Sequence, residues 1–319
     1  ADRAALGPEG EARTLIELHA RPGVTPAPPR ATLGLYHFAI LLPDRASLGR
    51  FVRHLADLGA RAGMADHLVS EAIYLTDPDG LGIEVYADRP RDTWRVSGGE
   101  LAMTTDPLDV DDLARAGGAD PWRGMPAGTV IGHVHLHVGD LEAAAAFYHD
   151  ALGFDKVVWS YPGALFLSAG GYHHHLGTNT WAHGSIPPPN QARLLAWDIV
   201  VPRGEDAKAA AGSLAKIFAA PVSALSVTLP SQSDRRHEEA RVAANRAAAF
   251  LRSHELDAEA VVYHGRPDEV IVETTTAKKA DLIVIGSHGR TGLDRVMLGS
   301  VSERVIDAAP TAVLVAKIS

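Results

Sequence analysis

Two groups of residues in this chain could do chemistry, and they lie in different parts of it. In the C-terminal part an apolar run, Leu282 to Ile285, ends at Gly286; Gly289 and Gly292 follow before Gly299-Ser300. The run lacks polar alternation and reads as a buried strand. Gly299-Ser300 then opens an amphipathic helix over Val301 to Ala309. Glycines let the main chain take positive φ and let a ligand approach with no Cβ in the way. Free N–H groups at a helix start, backed by its dipole, favour an anion by roughly 0.3–1 kcal/mol per charge. Strand, glycine loop and helix start together make a cradle for phosphate. The other group is rich in histidine. His133, His135 and His137 alternate with Val134, Leu136 and Val138, so they share one strand face. His173-His174-His175 has the composition of a metal-binding tract. A satisfied core histidine is the plain alternative for His37, which sits in an apolar strand, as a mere connection is for the glycine loop.

Composition bounds what these groups can serve. The 319 residues suggest two domains at about 150 residues each, and the 46% apolar fraction is ample for buried cores. A formal net charge of −9 argues against nucleic acid as the main partner. With no cysteine, disulfides, thiolate nucleophiles and thiolate metal sites are excluded. No apolar run approaches the roughly 20 residues of a membrane span and no secretory signal shows, so a cytoplasmic protein without a membrane partner is expected. The missing initiator methionine suggests a processed, trimmed or partial chain.

The elements that must position these residues can be read in order. Arg13–His19 looks like a strand with little before it to pair with, and Arg21–Arg30, with four prolines, reads as an extended linker. Next come strand Leu35–Leu42, helix Arg45–Leu58, strand Ser70–Leu75, the turn Asp77-Pro78-Asp79-Gly80 and strand Gly82–Tyr86. Asp-Gly between apolar alternations is a hairpin signal. After a polar bridge from Asp88 to Met125 the pattern recurs: strand Gly132–Val138, helix Leu141–Leu152, then short strands at Val157–Trp159, Ala164–Ser168 and Tyr172–Gly177. Strand–helix–strands occurring twice is an internal repeat of about 50 residues. Pro187-Pro188-Pro189 closes the region, which sets an α+β domain of βαβββ repeats over residues 1–190. Residues 191–319 alternate strictly: strands Leu195–Val201, Val222–Thr228, Ala258–Tyr263, Leu282–Ile285 and Thr311–Ala316, with helices between them. That order predicts an α/β domain with a doubly wound, five-stranded parallel sheet. Ligands sit at the carboxyl ends of such strands, which places the loop after Val201-Pro202 opposite the loop at Gly286.

Gly286, two residues, Gly289, nine residues and Gly299-Ser300 is a spacing that resembles the nucleotide signature of the universal stress protein family. Gly286-Ser287-His288-Gly289-Arg290-Thr291-Gly292-Leu293 and Ala309-Pro310-Thr311-Ala312-Val313-Leu314-Val315 resemble it too. The resemblance implies an adenine-nucleotide alpha-hydrolase-like fold that binds ATP. Gly286, Gly289, Arg290, Gly299, Ser300 and Ser302 would hold phosphates and ribose, with Ile285 and Val227 near the nucleoside. It also implies a homodimer pairing through the edge that carries Val313–Val315. One departure is plain: the family's acidic residue after the first strand is replaced here by Pro202-Arg203-Gly204-Glu205-Asp206. Arg203 cannot accept a hydrogen bond from a base, so Glu205 or Asp206 substitutes or base recognition is degraded.

The front part resembles the vicinal-oxygen-chelate superfamily through Leu35-Tyr36-His37-Phe38-Ala39-Ile40, Ile83-Glu84-Val85-Tyr86 and the run from Gly132-His133 to Asp140-Leu141. Asp66-His67-Leu68-Val69-Ser70-Glu71, Tyr86-Ala87-Asp88-Arg89-Pro90 and the stretch from Ser168 to His175 narrow this to a catechol 2,3-dioxygenase-related (glyoxalase-like) branch with an incomplete first module. The resemblance implies Fe(II) or Mn(II), held by His37, Glu84, His133 and a last-strand histidine, His175 or His174. It implies His67 and Tyr86 as catalytic residues and a catechol-like small molecule as substrate. An ATP-binding stress domain fused to this metal-binding domain is the expected function. The alternatives are a non-enzymatic nucleotide-binding protein with a degenerate front module, and a junction of two unrelated fragments.

Overall fold

The computed structural model describes residues 3–182, 184–197, 199–201, 213–216, 220–286 and 300–318. The chain forms two compact units, Ala1–His149 with Phe154–Leu194, and Leu195–Ser319 with Asp150–Gly153.

In the first unit the repeat becomes geometry. One module is β3 (Gly34–Leu41), α1 (Arg45–Asp57), β4 (Gly63–Asp66), β5 (Ser70–Thr76) and β6 (Gly82–Asp88). The other is β9 (Val130–His137), α3 (Leu141–Ala145), β10 (Asp155–Val158), β11 (Ala164–Ser168) and β12 (Leu176–Asn179). All eight strands form one sheet in the order β10-β11-β12-β9-β3-β6-β5-β4. The two first strands meet antiparallel at the centre, and each module's last strand runs parallel beside its first. A strand's side chains alternate between faces, so each face has its own chemistry. Ile40, Leu42, Ile73 and Val85 turn to α1 and pack on Leu48, Phe51, Val52 and Leu55, a stripe at helical spacing. Asp44 caps that helix, accepting from Ser47 N–H at 2.7 Å, a contact worth about 1 kcal/mol. The opposite face carries His37, Ala39, Tyr74, Glu84, Tyr86, His133 and His135.

The Asp77–Gly80 turn fixes which side chains meet. Asp77 accepts from Leu81 N–H through its side chain at 2.7 Å, and the hairpin register then sets Tyr74 opposite Glu84. At the centre of the sheet the β3–β9 register shifts between Leu35 and His37. A bulge re-aims side chains, and here the adjacent Tyr36 and His37 rings both reach His135.

Other parts of the first unit differ from the sequence-based expectation. β2 (Ile16–His19) does have a partner, β1 (Arg3–Leu6), reached through the turn at Gly10. The proline-rich stretch is pinned: Thr25 N–H donates to Asn190, Ala27 N–H to Asp79 and Leu33 N–H to Ser185. The polar bridge holds the short hairpin β7 (Val96–Ser97) and β8 (Glu100–Leu101), followed by α2 (Val110–Ala116), whose Leu113 is buried in the α1 core.

The second unit keeps parallel strands alternating with helices. β14 (Val222–Thr228), α4 (Asp234–Ser253), β15 (Ala258–His264) and α5 (Pro267–Lys278) make one strand pair with its helices. β16 (Leu282–Gly286), α6 (Ser300–Ala308) and β17 (Ala312–Ile318) follow. Among the described residues the strands stand in two parallel sheets, β14-β15 and, with β13 (Ile199–Val201), β13-β17-β16, rather than one five-stranded sheet. β13 is only Ile199–Val201 and pairs with the last three residues of β17. Pro202, which has no N–H, follows it at once, so it offers few ladder bonds with which to hold a central place. β13 reaches Ala316–Ile318 and not Val313–Val315, whose edge is the one expected to pair two copies. No helix among the described residues is long and apolar enough to cross a membrane.

Candidate metal centre

Three buried side chains converge where β3, β6 and β9 run side by side. Ala39 lies opposite Glu84 on one flank and His133 on the other. His37, two residues before Ala39, shares their face. Their exposures are 5% for His37, 2% for Glu84 and 3% for His133. Glu84 Oε2 lies 3.0 Å from His37 Nε2 and 3.2 Å from His133 Nε2, and the two imidazole nitrogens are 3.4 Å apart. One ligand atom from each residue falls within 4.8 Å of the others.

The electrostatics favour neutral imidazole beside a carboxylate. Burial drives the His133 pKa down to about 4 against the opposing pull of Glu84. Burial raises the Glu84 pKa, but His133 and His37 outweigh it and hold the carboxyl well below its usual range. Burial likewise presses His135 and His174 well below the usual imidazole value. His133 Nδ1 is buried without a hydrogen-bond partner. An unsatisfied buried nitrogen costs about 1–3 kcal/mol, and so marks a place where function outweighs stability. Two imidazole nitrogens and one carboxylate, aimed at a common point, form the donor set that suits a divalent transition metal.

The module symmetry explains why only three candidate ligands meet among the described residues. In the first module Ala39 pairs with Glu84; in the second His135, the equivalent of Ala39, pairs with Gly177. Gly177 thus stands where a fourth ligand would. A Cβ there would come within 2.8 Å of the His135 ring, so the position is closed to any side chain. His175, expected as the fourth ligand, is not brought to the group: its Nδ1 lies 3.2 Å from Ser168 Oγ and accepts from Ala169 N–H. It is two residues short of the ligand position on the last strand. His174 packs against His133, with ring centroids 4.1 Å apart, and its Nδ1 lies 2.8 Å from His173 Nδ1.

The two candidate catalytic residues have separate surroundings. Tyr86 is fully buried, its ring 5.0 Å from that of His133. Tyr172 donates to Asp88 at 3.0 Å, so at 2.7 Å Tyr86 must donate to Tyr172; its proton points away from the triad. His67 lies beside a residue the sequence reading did not single out, Tyr74. His67 Nδ1 is 2.6 Å from the Thr104 carbonyl and Nε2 is 2.6 Å from the Tyr74 hydroxyl. A carbonyl only accepts, so Nδ1 carries a proton. Burial raises the Tyr74 pKa well above its usual value, and the charge of Glu84 adds to it. With the His67 proton on Nδ1, the Tyr74 hydroxyl donates to Nε2. The hairpin signal and alternation would have located Tyr74 by counting back from the turn.

In the second unit, Val227 lies near the end of β14 and Ile285 and Gly286 end β16. Ser300 opens α6, and Ser302 is buried in its first turn. Gly289, Arg290, Gly299, Arg203, Glu205 and Asp206 lie outside the described residues.

A sheet of paired βαβββ modules around a buried two-histidine, one-carboxylate group defines a vicinal-oxygen-chelate domain. Residues 131–155 match the bleomycin resistance protein-like N-terminal family and residues 193–317 the universal stress protein family. Over 199 residues the chain is 50% identical to catechol-2,3-dioxygenase of Bacillus subtilis (strain 168), covering 61% of this chain and 70% of that one. A 53-residue stretch is 58% identical to universal stress protein MJ0531 of Methanocaldococcus jannaschii, 17% of this chain and 31% of that protein. The solved structure of MJ0577 is 25% identical with a TM-score of 0.33, over 40% of this chain and 99% of that one. The chain belongs to the catechol-2,3-dioxygenase family through its front part, and a universal stress protein domain is fused behind it.

Proposed function

We propose that the front domain is a metal-dependent, extradiol-type dioxygenase acting on catechol-like diols. The buried convergence of His37 Nε2, Glu84 Oε2 and His133 Nε2 carries this reading. These three atoms would hold Fe(II) or Mn(II). When bound, such an ion supplies a redox-active Lewis acid with open positions for a bidentate diol. The protein's own part is to keep the His133 imidazole neutral, Glu84 ionised and the site dry. At Gly177 the His135 ring, rather than a fourth ligand side chain, faces the group. Tyr74 and His67 offer a path for a diol proton: as the Tyr74 hydroxyl takes it, Tyr74's own proton passes to His67 Nε2, while Thr104 holds Nδ1–H and fixes the ring. Tyr86, tied to Tyr172, positions His133 by packing rather than by proton transfer.

Fe(II)-loaded protein is expected to consume oxygen with catechol and to form a ring-opened, visibly absorbing product. His67→Gln should slow turnover by about a hundredfold or more, the usual size of a general acid–base contribution. A metal-loaded protein inert towards catechols would favour the non-enzymatic alternative.

For the rear domain we propose adenine-nucleotide binding, ATP foremost, at Val227, Ile285, Gly286, Gly289, Arg290, Gly299, Ser300 and Ser302. The family match over residues 193–317 and the helix start at Ser300 support it. Calorimetric titration with ATP should show saturable binding that Gly299→Asp weakens at least tenfold; no binding at all would reduce the loop to a connection. A homodimer is proposed on the same family grounds, and light scattering at high concentration would decide it.

A further inference from the structure

The proline-rich segment does more than link. It roofs a cavity of about 230 Å³ in the first unit. Backbone bonds pin the segment on both sides, Ala27 to Asp79 and Leu33 to Ser185. Its lining includes Tyr74 and His37, the latter a partner of Glu84. Leu35 and Leu81 also line it, and His137, which feels Arg30's charge, pairs with Gly34, three residues before His37, so Arg30 lies towards the end away from the triad. No carboxylate lines it among the described residues. Arg30 is exposed and has no hydrogen-bond or ion-pair partner there, yet its charge is felt at His137. It sits at φ +53°, a conformation that costs a non-glycine residue of order 1–3 kcal/mol. The pinned flanks hold it there. Along β9 the step from His133, at the triad, to His137 is four residues, roughly 13 Å at strand rise.

We propose that this cavity binds an aromatic diol bearing an anionic substituent, a carboxylate above all, with the diol at the triad and the acid group on Arg30. A planar guanidinium takes a carboxylate through two parallel hydrogen bonds, and apolar walls between the ends suit a ring. An uncharged catechol would leave Arg30 without a partner and the outer end of the cavity unfilled. The diol end of this assignment rests on the metal reading of the site; the acid end does not.

The test separates the two ends. Calorimetry on Mn(II)-loaded protein compares 3,4-dihydroxyphenylacetate with 4-methylcatechol, in the wild type and in Arg30→Met and Arg30→Lys. The acid should bind at least about tenfold more tightly in the wild type, roughly 1.4 kcal/mol. Arg30→Met should bring the affinity ratio to about one, and Arg30→Lys should restore part of it. Metal-free protein titrated with phenylacetate should show the same dependence on Arg30. A wild-type ratio near one, or a ratio that Arg30→Met leaves intact, overturns the inference whatever the metal does. Loss of diol binding with retained, Arg30-dependent phenylacetate binding would instead refute the metal reading and uphold the acid end.

Discussion

Gly132 shows how closely the triad depends on its neighbours. A Cβ on it would lie 1.8 Å from the Tyr86 hydroxyl and 3.1 Å from Leu41 Cβ. Tyr86 cannot yield freely, because it is fully buried and donates to Tyr172. Relief would have to come from β9, which carries His133 one residue on. Gly132→Ala is therefore expected to destabilise the fold by about 1–3 kcal/mol, the usual range for overpacking. It should also lower metal affinity more than the surface change Leu58→Ala does; Leu58 is exposed. Denaturant titration and metal titration on the same samples would check both. An unperturbed metal affinity would show that Tyr86 and β9 do not position His133.

At the scale of elements, β9 and its neighbours form a sheet face that resists protonation. The His133 pKa is held at about 4 by burial, although Glu84 opposes the shift, and His135 and His174 are depressed by the same cause. Between their ordinary value and the folded one, the unfolded chain binds more protons than the folded chain. Stability then rises with pH. It should be complete above about pH 6.5 and fall as the pH drops towards 4. Four of the five tryptophans, Trp94, Trp122, Trp159 and Trp181, lie in this unit, so their fluorescence in denaturant reads the transition. A midpoint that stayed level or rose between pH 6.5 and 4 would contradict the burial described here. The two βαβββ modules were legible in the sequence, because the apolar alternation and the Asp-Gly turn carry their own periodicity. That His37 and His133 on first strands share a face with Glu84 on β6 followed from the repeat and the family resemblance. The fourth position was not legible: His175 is the nearer histidine, but only the β9–β12 register reveals that Gly177 stands opposite His135. Tyr36 was hidden for a similar reason, since a bulge breaks the alternation on which a strand reading relies. In the rear part the parallel class was legible, whereas the place of β13 depended on how few residues precede Pro202.

Taken whole, one acidic chain carries the proposed metal group in its front domain and the proposed nucleotide site in its rear domain. The central claim is the triad, and metal binding tests it most directly. Mn(II) titrated into metal-free protein at pH 7, followed by calorimetry and elemental analysis, should saturate at about one ion per front domain, held by His37, Glu84 and His133. Glu84→Gln and His133→Ala should each abolish that saturation while circular dichroism stays that of the folded chain. Saturation at one ion that persists in folded Glu84→Gln protein, or a wild type that binds none, would contradict it.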